Sequence, residues 1–310
     1  MVAGRLILEE IQKDPVIYRA HFKGDPCNSY LVVSMNESLA VDVRSPGMRD
    51  KLRILAAGLG AAPERMLYFD TGGNSADSMI AINDSPREQS AVGTKREEGI
   101  WRTLEIRNID ARDGDKIKLG DKIRHCVRST GASNAQMSLW IPEHRILLAG
   151  EAVGCDPLPK IRDTNDRKDM LGLMFETIRF FKSLNPVCIL PGKGEAAHTA
   201  PECQALLDGM MGKYCLQLLQ YYQLIRDHPG HTVEWLEEEI GRRSLGRECY
   251  CVAIHKYLLY RKYVRAKEGE DGAVVYEPGS TRLTRWNALA IDSSKTVNTK
   301  KPNRNQGISL

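Results

Sequence analysis

By residue type the eight cysteines are the side chains of this chain best equipped for chemistry, yet their spacing does not organise them. Cys27, Cys126, Cys155, Cys188, Cys203, Cys215, Cys249 and Cys251 are scattered, with no Cys-x-x-Cys pair of the kind zinc or thiol redox chemistry favours. Several lie in apolar runs such as Val187-Cys-Ile-Leu190, where a thiol behaves as a small hydrophobe. Buried structural cysteines are the expectation. His255, on a helical run with Ile254 and Leu258, reads as structural too. No serine has a His or Lys partner in a local motif that would activate it as a nucleophile. Basic side chains cluster at Lys256, Arg261, Lys262, Arg265 and Lys267, as nucleic-acid binding would want, but Glu234, Glu237, Glu238 and Glu239 lie just before them.

The elements that would position any site are clearer. Leu6-Ile-Leu8, Val16-Ile-Tyr18, Tyr30-Leu-Val-Val33 and Leu39-Ala-Val-Asp-Val43 are short apolar runs separated by turn signals, which predicts a β-meander. Residues 47–60 predict an amphipathic helix carrying Met48, Leu52, Ile54 and Leu55, closed by Gly58 and Gly60. A strand at Met66-Leu-Tyr-Phe69 runs into the Gly-rich turn 70–77, and residues 79–100 are ambiguous. Further strands are expected at Thr103–Ile106, Lys116–Leu119, Ile123–Val127, Met137–Ile141 and Ile146–Leu148. From Asp163 the period turns helical, with Leu171, Met174, Phe175, Ile178 and Phe181 on one face. The strand Val187–Leu190 leads into Pro191-Gly-Lys-Gly194. Helical patterns then fill 201–263, broken at Asp227-His-Pro-Gly230, and a hairpin over 264–276 gives the end a winged-helix-like look.

Composition bounds the answer. The net charge of +4 is concentrated in residues 281–310, where six basic residues face the single acid Asp292. The other 280 residues hold 38 bases and 39 acids, so the body is not basic, which weakens a nucleic-acid reading. The Asn-, Ser-, Thr- and Lys-rich stretch 281–310 is expected to be a disordered tail. No run approaches the ~18 apolar residues of a membrane span, and the acidic residues at 9 and 10 come too early for a secretory signal, so a cytoplasmic address is expected.

The order of the punctuation resembles the metallo-β-lactamase superfamily: Asn28-Ser-Tyr-Leu-Val32, Ala40-Val-Asp-Val43, Asp113-Gly-Asp-Lys-Ile-Lys-Leu-Gly120, Thr130-Gly131, Arg145-Ile-Leu-Leu-Ala-Gly-Glu-Ala-Val153 and Ile189-Leu-Pro-Gly-Lys-Gly194. The C-terminal helices and hairpin are similar to the lactamase-like endoribonuclease branch. The resemblance covers about residues 5–278 and implies an α/β fold, an αββα sandwich over 1–200. It further implies a C-terminal helical, winged-helix-like region over 201–280, before the basic tail 281–310. Such proteins hold zinc on histidines and carboxylates. Aligned by its aspartate, the first metal motif here reads Gly73, Ser75, Asp77 and Ser78; the next histidine is Ala132, followed by Ser133; the bridging acid is Glu151; the final histidine is Lys193. None of His21, His125, His144, His198, His228, His231 or His255 falls at a metal position.

The resemblance therefore implies a member with no metal and no other cofactor. Asp77, Glu151 and Lys193 stand as vestigial-site candidates for catalysis. Gly73, Ser75, Ser78, Ala132 and Ser133 are ligand-pocket candidates. A lysine among two acids supplies the charge that zinc supplies elsewhere, so Lys193 is expected within salt-bridge distance of Asp77, Glu151 or both, as an internal pair. Three functions follow, in order: a pseudoenzyme or ligand-binding regulatory protein; a metal-independent hydrolase or lyase using Asp77, Glu151 and Lys193; and a nucleic-acid-binding protein acting through the C-terminal region. The partners expected are a small-molecule ligand and a second copy in a homodimer, with neither nucleic acid nor membrane.

Overall fold

The computed structural model describes residues 5–43, 45–62, 66–69, 107–108, 114, 116–129, 136–154, 158–159, 161, 169–242, 251–269 and 272–284. Among them the meander is present as β1 (Leu6–Lys13), β2 (Val16–Phe22), β3 (Ser29–Ser34) and β4 (Glu37–Val41), each antiparallel to the next. Helix α1 (Pro46–Gly58) follows, and then β5 (Met66–Phe69) and β6 (Arg107–Asn108), which join the same sheet in parallel. A second sheet has the order β11-β10-β9-β8-β7. It is built from β7 (Lys116–Leu119), β8 (Lys122–Arg128), β9 (Met137–Ile141), β10 (Ile146–Gly150) and β11 (Cys188–Pro191), the last parallel to β10. The predicted strand over 103–106 and the turn over 70–77 lie outside the described residues.

Alternation along the strands sorts side chains into layers. Tyr30, Val32, Leu39 and Val41 from the first sheet meet Leu139, Ile141, Ile146, Leu148 and Leu190 from the second. Leu31, Val33 and Ala40 point the other way, against Met48, Leu52 and Ala56 of α1. That helix begins where Ser45 Oγ accepts from Met48 N at 3.2 Å, with Pro46 in the first turn. Ile54, predicted on its apolar face, instead lies 71% exposed: at 100° per residue it falls away from the 48–52–56 stripe.

The outer face of the second sheet, Trp140, Leu147, Ala149 and Ile189, is covered by α2 (Met170–Ser183), α3 (Ala200–Asp227), α4 (Val233–Arg242) and α5 (Cys251–Tyr260). These helices share one core with the sheet, and the hairpin β12 (Val264–Glu268) and β13 (Val274–Pro278) closes over it. The layers are thus helix, sheet, sheet, helix. After the hairpin the chain stays on the body through Thr284, with Leu283 4% exposed in the helical core; the rest of the expected tail lies outside the described residues. Among the described residues no helix is long and apolar enough to cross a membrane.

Candidate functional site

Two strand ends build the site. Strand β10 stops at Gly150, and its parallel neighbour β11 stops at Pro191. Gly192 N donates to Gly150 O at 2.7 Å, and a Cβ on Gly192 would stand 2.9 Å from the Gly150 carbonyl carbon. Only glycine lets the two turns approach so closely. Glu151 leaves the first turn and Lys193 the second. The backbone at Glu151 is met by Gln136, 1% exposed, whose carboxamide, oriented with its oxygen toward the backbone, accepts from Glu151 N at 3.1 Å and Ala152 N at 2.5 Å.

The Lys193 loop is held from the other side by the entry to β3. Asn28 N donates to Gly192 O at 2.9 Å and Gly194 N to Pro26 O at 3.3 Å. The Asn28 carboxamide donates to Pro191 O and Gly194 O at 3.0 and 2.8 Å, and the Tyr30 hydroxyl donates to Pro191 O at 2.6 Å. Burial pushes the Tyr30 phenol well above its ordinary range, so it stays a donor. Arg19 closes the outer end, donating to Glu195 at 2.8 Å and pairing with Glu9 at 2.6 Å.

Lys193 Nζ lies 3.8 Å from Glu151 Oε1, as expected from the sequence. The pair is not internal, however. The lysine side chain is 46% exposed and the glutamate 29%, because both leave strand ends at the rim of the sandwich rather than its interior. An ion pair that wet contributes roughly 0–1 kcal/mol, below the range of a buried one. Asp77, Gly73, Ser75, Ser78, Ala132 and Ser133 lie outside the described residues.

At the described positions the donor set does not fit the two-metal centre that the sequence resemblance would imply. An ammonium cannot ligate a cation, so of the pair at these strand ends only Glu151 offers a metal donor. Among the described residues no group of three His, Cys, Asp or Glu side chains could hold a metal ion. What the arrangement offers is a solvent-facing cation for an anionic group, with a carboxylate that tempers it.

The expectation about cysteines holds for Cys126, Cys188, Cys203 and Cys215, all buried. Burial raises the Cys188 thiol to about 12 and those of Cys203 and Cys215 to about 11, so they are inert at neutral pH. Among the cysteines whose burial is described Cys27 is the exception, half-buried and paired in a β-bridge with Lys193, while Cys155, Cys249 and Cys251 lie outside that description. Sequence reasoning missed it, along with Gln136 and Arg19. The available signal was its place immediately before the Asn28-Ser-Tyr run.

No family model matches the sequence, and no curated protein matches it. Solved structures do. A metallo-β-lactamase family protein from Thermus thermophilus superposes with a TM-score of 0.59 at 16% identity, over 88% of this chain and 98% of its own. A β-lactamase domain protein from Burkholderia ambifaria gives 0.61 at 14% identity, over 88% of this chain and 95% of its own. At these identities the likeness bears on architecture alone, and there it is direct: this chain has the metallo-β-lactamase fold.

Proposed function

We propose that this protein is a metal-independent member of its fold that binds a small anionic ligand at the β10–β11 strand ends, as a pseudoenzyme or regulatory protein. The observation that carries the reading is the Lys193–Glu151 pair at 3.8 Å, at the two positions that the sequence resemblance assigns to the final histidine and the bridging acid of a metallo-β-lactamase. A metal-bound water with its pKa brought near 7 needs ligands that these two side chains do not supply. The sequence at Gly73, Ser75, Ser78 and Ala132, small where the family has imidazoles, supports the same reading. A half-exposed ammonium suits a carboxylate or phosphate group better than an apolar one.

A metal-independent hydrolase or lyase at the same residues remains the second reading, favoured by the acid and base lying side by side. Nucleic-acid binding ranks last. Arg261 is turned to Asp169 at 3.6 Å, while Arg265 and Lys267 both reach Glu277, at 2.9 and 3.6 Å. Three of the five clustered cations are thereby tempered by acids. The likeness of the C-terminal region to the endoribonuclease branch rests on the order of helices and hairpin, and their shared core with the sheet favours a part in building the body.

Metal analysis joined to a thermal-shift screen tests this. The purified protein is expected to hold no stoichiometric zinc, iron or manganese after dialysis against a mild chelator. Small carboxylates and phosphates are expected to raise its melting temperature, by about 2.7 kcal/mol of stabilisation at a hundredfold excess over Kd, and Lys193→Gln to abolish the rise. One retained equivalent of metal, or shifts indifferent to Lys193, would overturn the reading.

A further inference from the structure

Cys27 and Lys193 face each other in a short antiparallel bridge. The flanking bonds, Asn28 N to Gly192 O and Gly194 N to Pro26 O, make them a non-hydrogen-bonded pair. In such a pair the two side chains leave the same face and stand at their closest, with Cβ atoms about 4.5–5.5 Å apart. The Lys193 ammonium in turn reaches Glu151. A half-buried thiol, a half-exposed ammonium and a carboxylate therefore share one rim of the sandwich, while Cys126, Cys188, Cys203 and Cys215 are buried. A second carboxylate, Asp25, is also close: its Oδ1 accepts from Cys27 N at 2.9 Å, which orients it toward the backbone.

We infer that Cys27 is a thiol–disulfide exchange site for small disulfides that carry carboxylates, with Lys193 as the positioning cation that draws the anionic disulfide in. The Cys27 thiol gives its proton to water, and its thiolate attacks one sulfur of the incoming disulfide. The new S–S bond forms as the old one breaks, and the leaving thiolate departs with the electron pair. Cys27 sulfur is oxidised and the departing sulfur reduced, so no outside oxidant is needed; a second small thiol reverses the step by the same exchange. The product is a mixed disulfide placed beside the Lys193–Glu151 pair. That would let the thiol redox state of the surroundings occupy or vacate the proposed ligand site. The inference deepens that reading of the same site, but it is tested separately: metal content and ligand shifts decide the first, disulfide kinetics the second.

The probes are an anionic disulfide, 5,5′-dithiobis(2-nitrobenzoate), and a neutral one, 4,4′-dithiodipyridine, reacted with the full-length protein at fixed pH. The fast-reacting cysteine is located by peptide mass spectrometry. The expected result is a fast phase that maps to Cys27 and disappears in Cys27→Ser. The ratio of anionic to neutral rate should fall about fivefold in Lys193→Gln and rise by a similar factor in Glu151→Gln, the scale of one charge a few ångströms away in a largely aqueous site. The two variants change one ion pair in opposite directions, so loss of structure cannot imitate them. Mapping of the fast phase to any other cysteine, or a rate ratio unmoved by both variants, would overturn the inference.

Discussion

His255 lies 5% exposed, with the Tyr221 hydroxyl 3.2 Å from its Nδ1 and the Tyr276 ring edge-on at 4.1 Å. Among the described residues its Nε2 has no hydrogen-bond partner. Burial favours the neutral ring and lowers the pKa from 6.5 to about 4. As pH falls the unfolded chain therefore takes up this proton first. Stability from the neutral ring is complete above about 6.5 and drains away as pH falls toward the folded value, by on the order of 3 kcal/mol in all. Denaturant unfolding at a series of pH values should show that slope in the wild type and a flatter one in His255→Gln. Equal slopes would show that the titration of His255 contributes nothing to the pH dependence. The structural role of this histidine was legible from its apolar helical neighbours. The pairing of Cys27 with Lys193 was not, because it joins loops 166 residues apart and no local spacing encodes it.

Strands and helices were legible wherever one face is buried, since period then betrays environment. Strand β8 shows the limit of that logic. Its run Ile123-Arg-His-Cys-Val127 reads as a strand, but the structure buries Arg124 completely and leaves Ile123 42% exposed. The register is set by Cys126, which faces the inter-sheet core and carries Arg124 inward with it. Burial lowers the Arg124 pKa, and its Nε and Nη2 find no hydrogen-bond partner among the described residues.

Glycines in elements were ambiguous for a related reason: sequence gives the residue but not its neighbours. Gly192 is pressed against Gly150, whereas Gly212 of α3 has nothing within 4 Å of where a Cβ would go. Two alanine substitutions should thus act in opposite directions. Gly212→Ala is expected to stabilise by up to about 1 kcal/mol through helix propensity. Gly192→Ala must push two strand ends apart and is expected to cost about 1–3 kcal/mol. Chemical denaturation reads both, and a Gly192→Ala variant as stable as the wild type would mean that the turns separate without strain.

At the scale of the molecule, the αββα order was readable because six modest motifs occur in sequence between Asn28 and Gly194, each weak by itself. Where the folded body ends was harder to read. Residues 281–284 are polar and basic around one leucine, and composition grouped them with the tail. Leu283 nevertheless packs at 4% exposure into the core shared by α2, α3, α4 and α5, beside Leu219 and Tyr222 of α3. One apolar side chain beyond the last strand matters when it covers a helical face that would otherwise be wet. Chains ending at residues 284 and 279 separate this contact from everything that follows it. The 284-residue chain should melt with the full-length protein, although it has lost most of the basic excess. The 279-residue chain should lose about 2–5 kcal/mol, the cost of emptying a buried leucine site, and Leu283→Ala in the full chain should reproduce most of that loss. If the 284-residue chain falls as far as the shorter one, the stabilising contact belongs to residues beyond Thr284. If Leu283→Ala has no effect, the helical face is closed by something else.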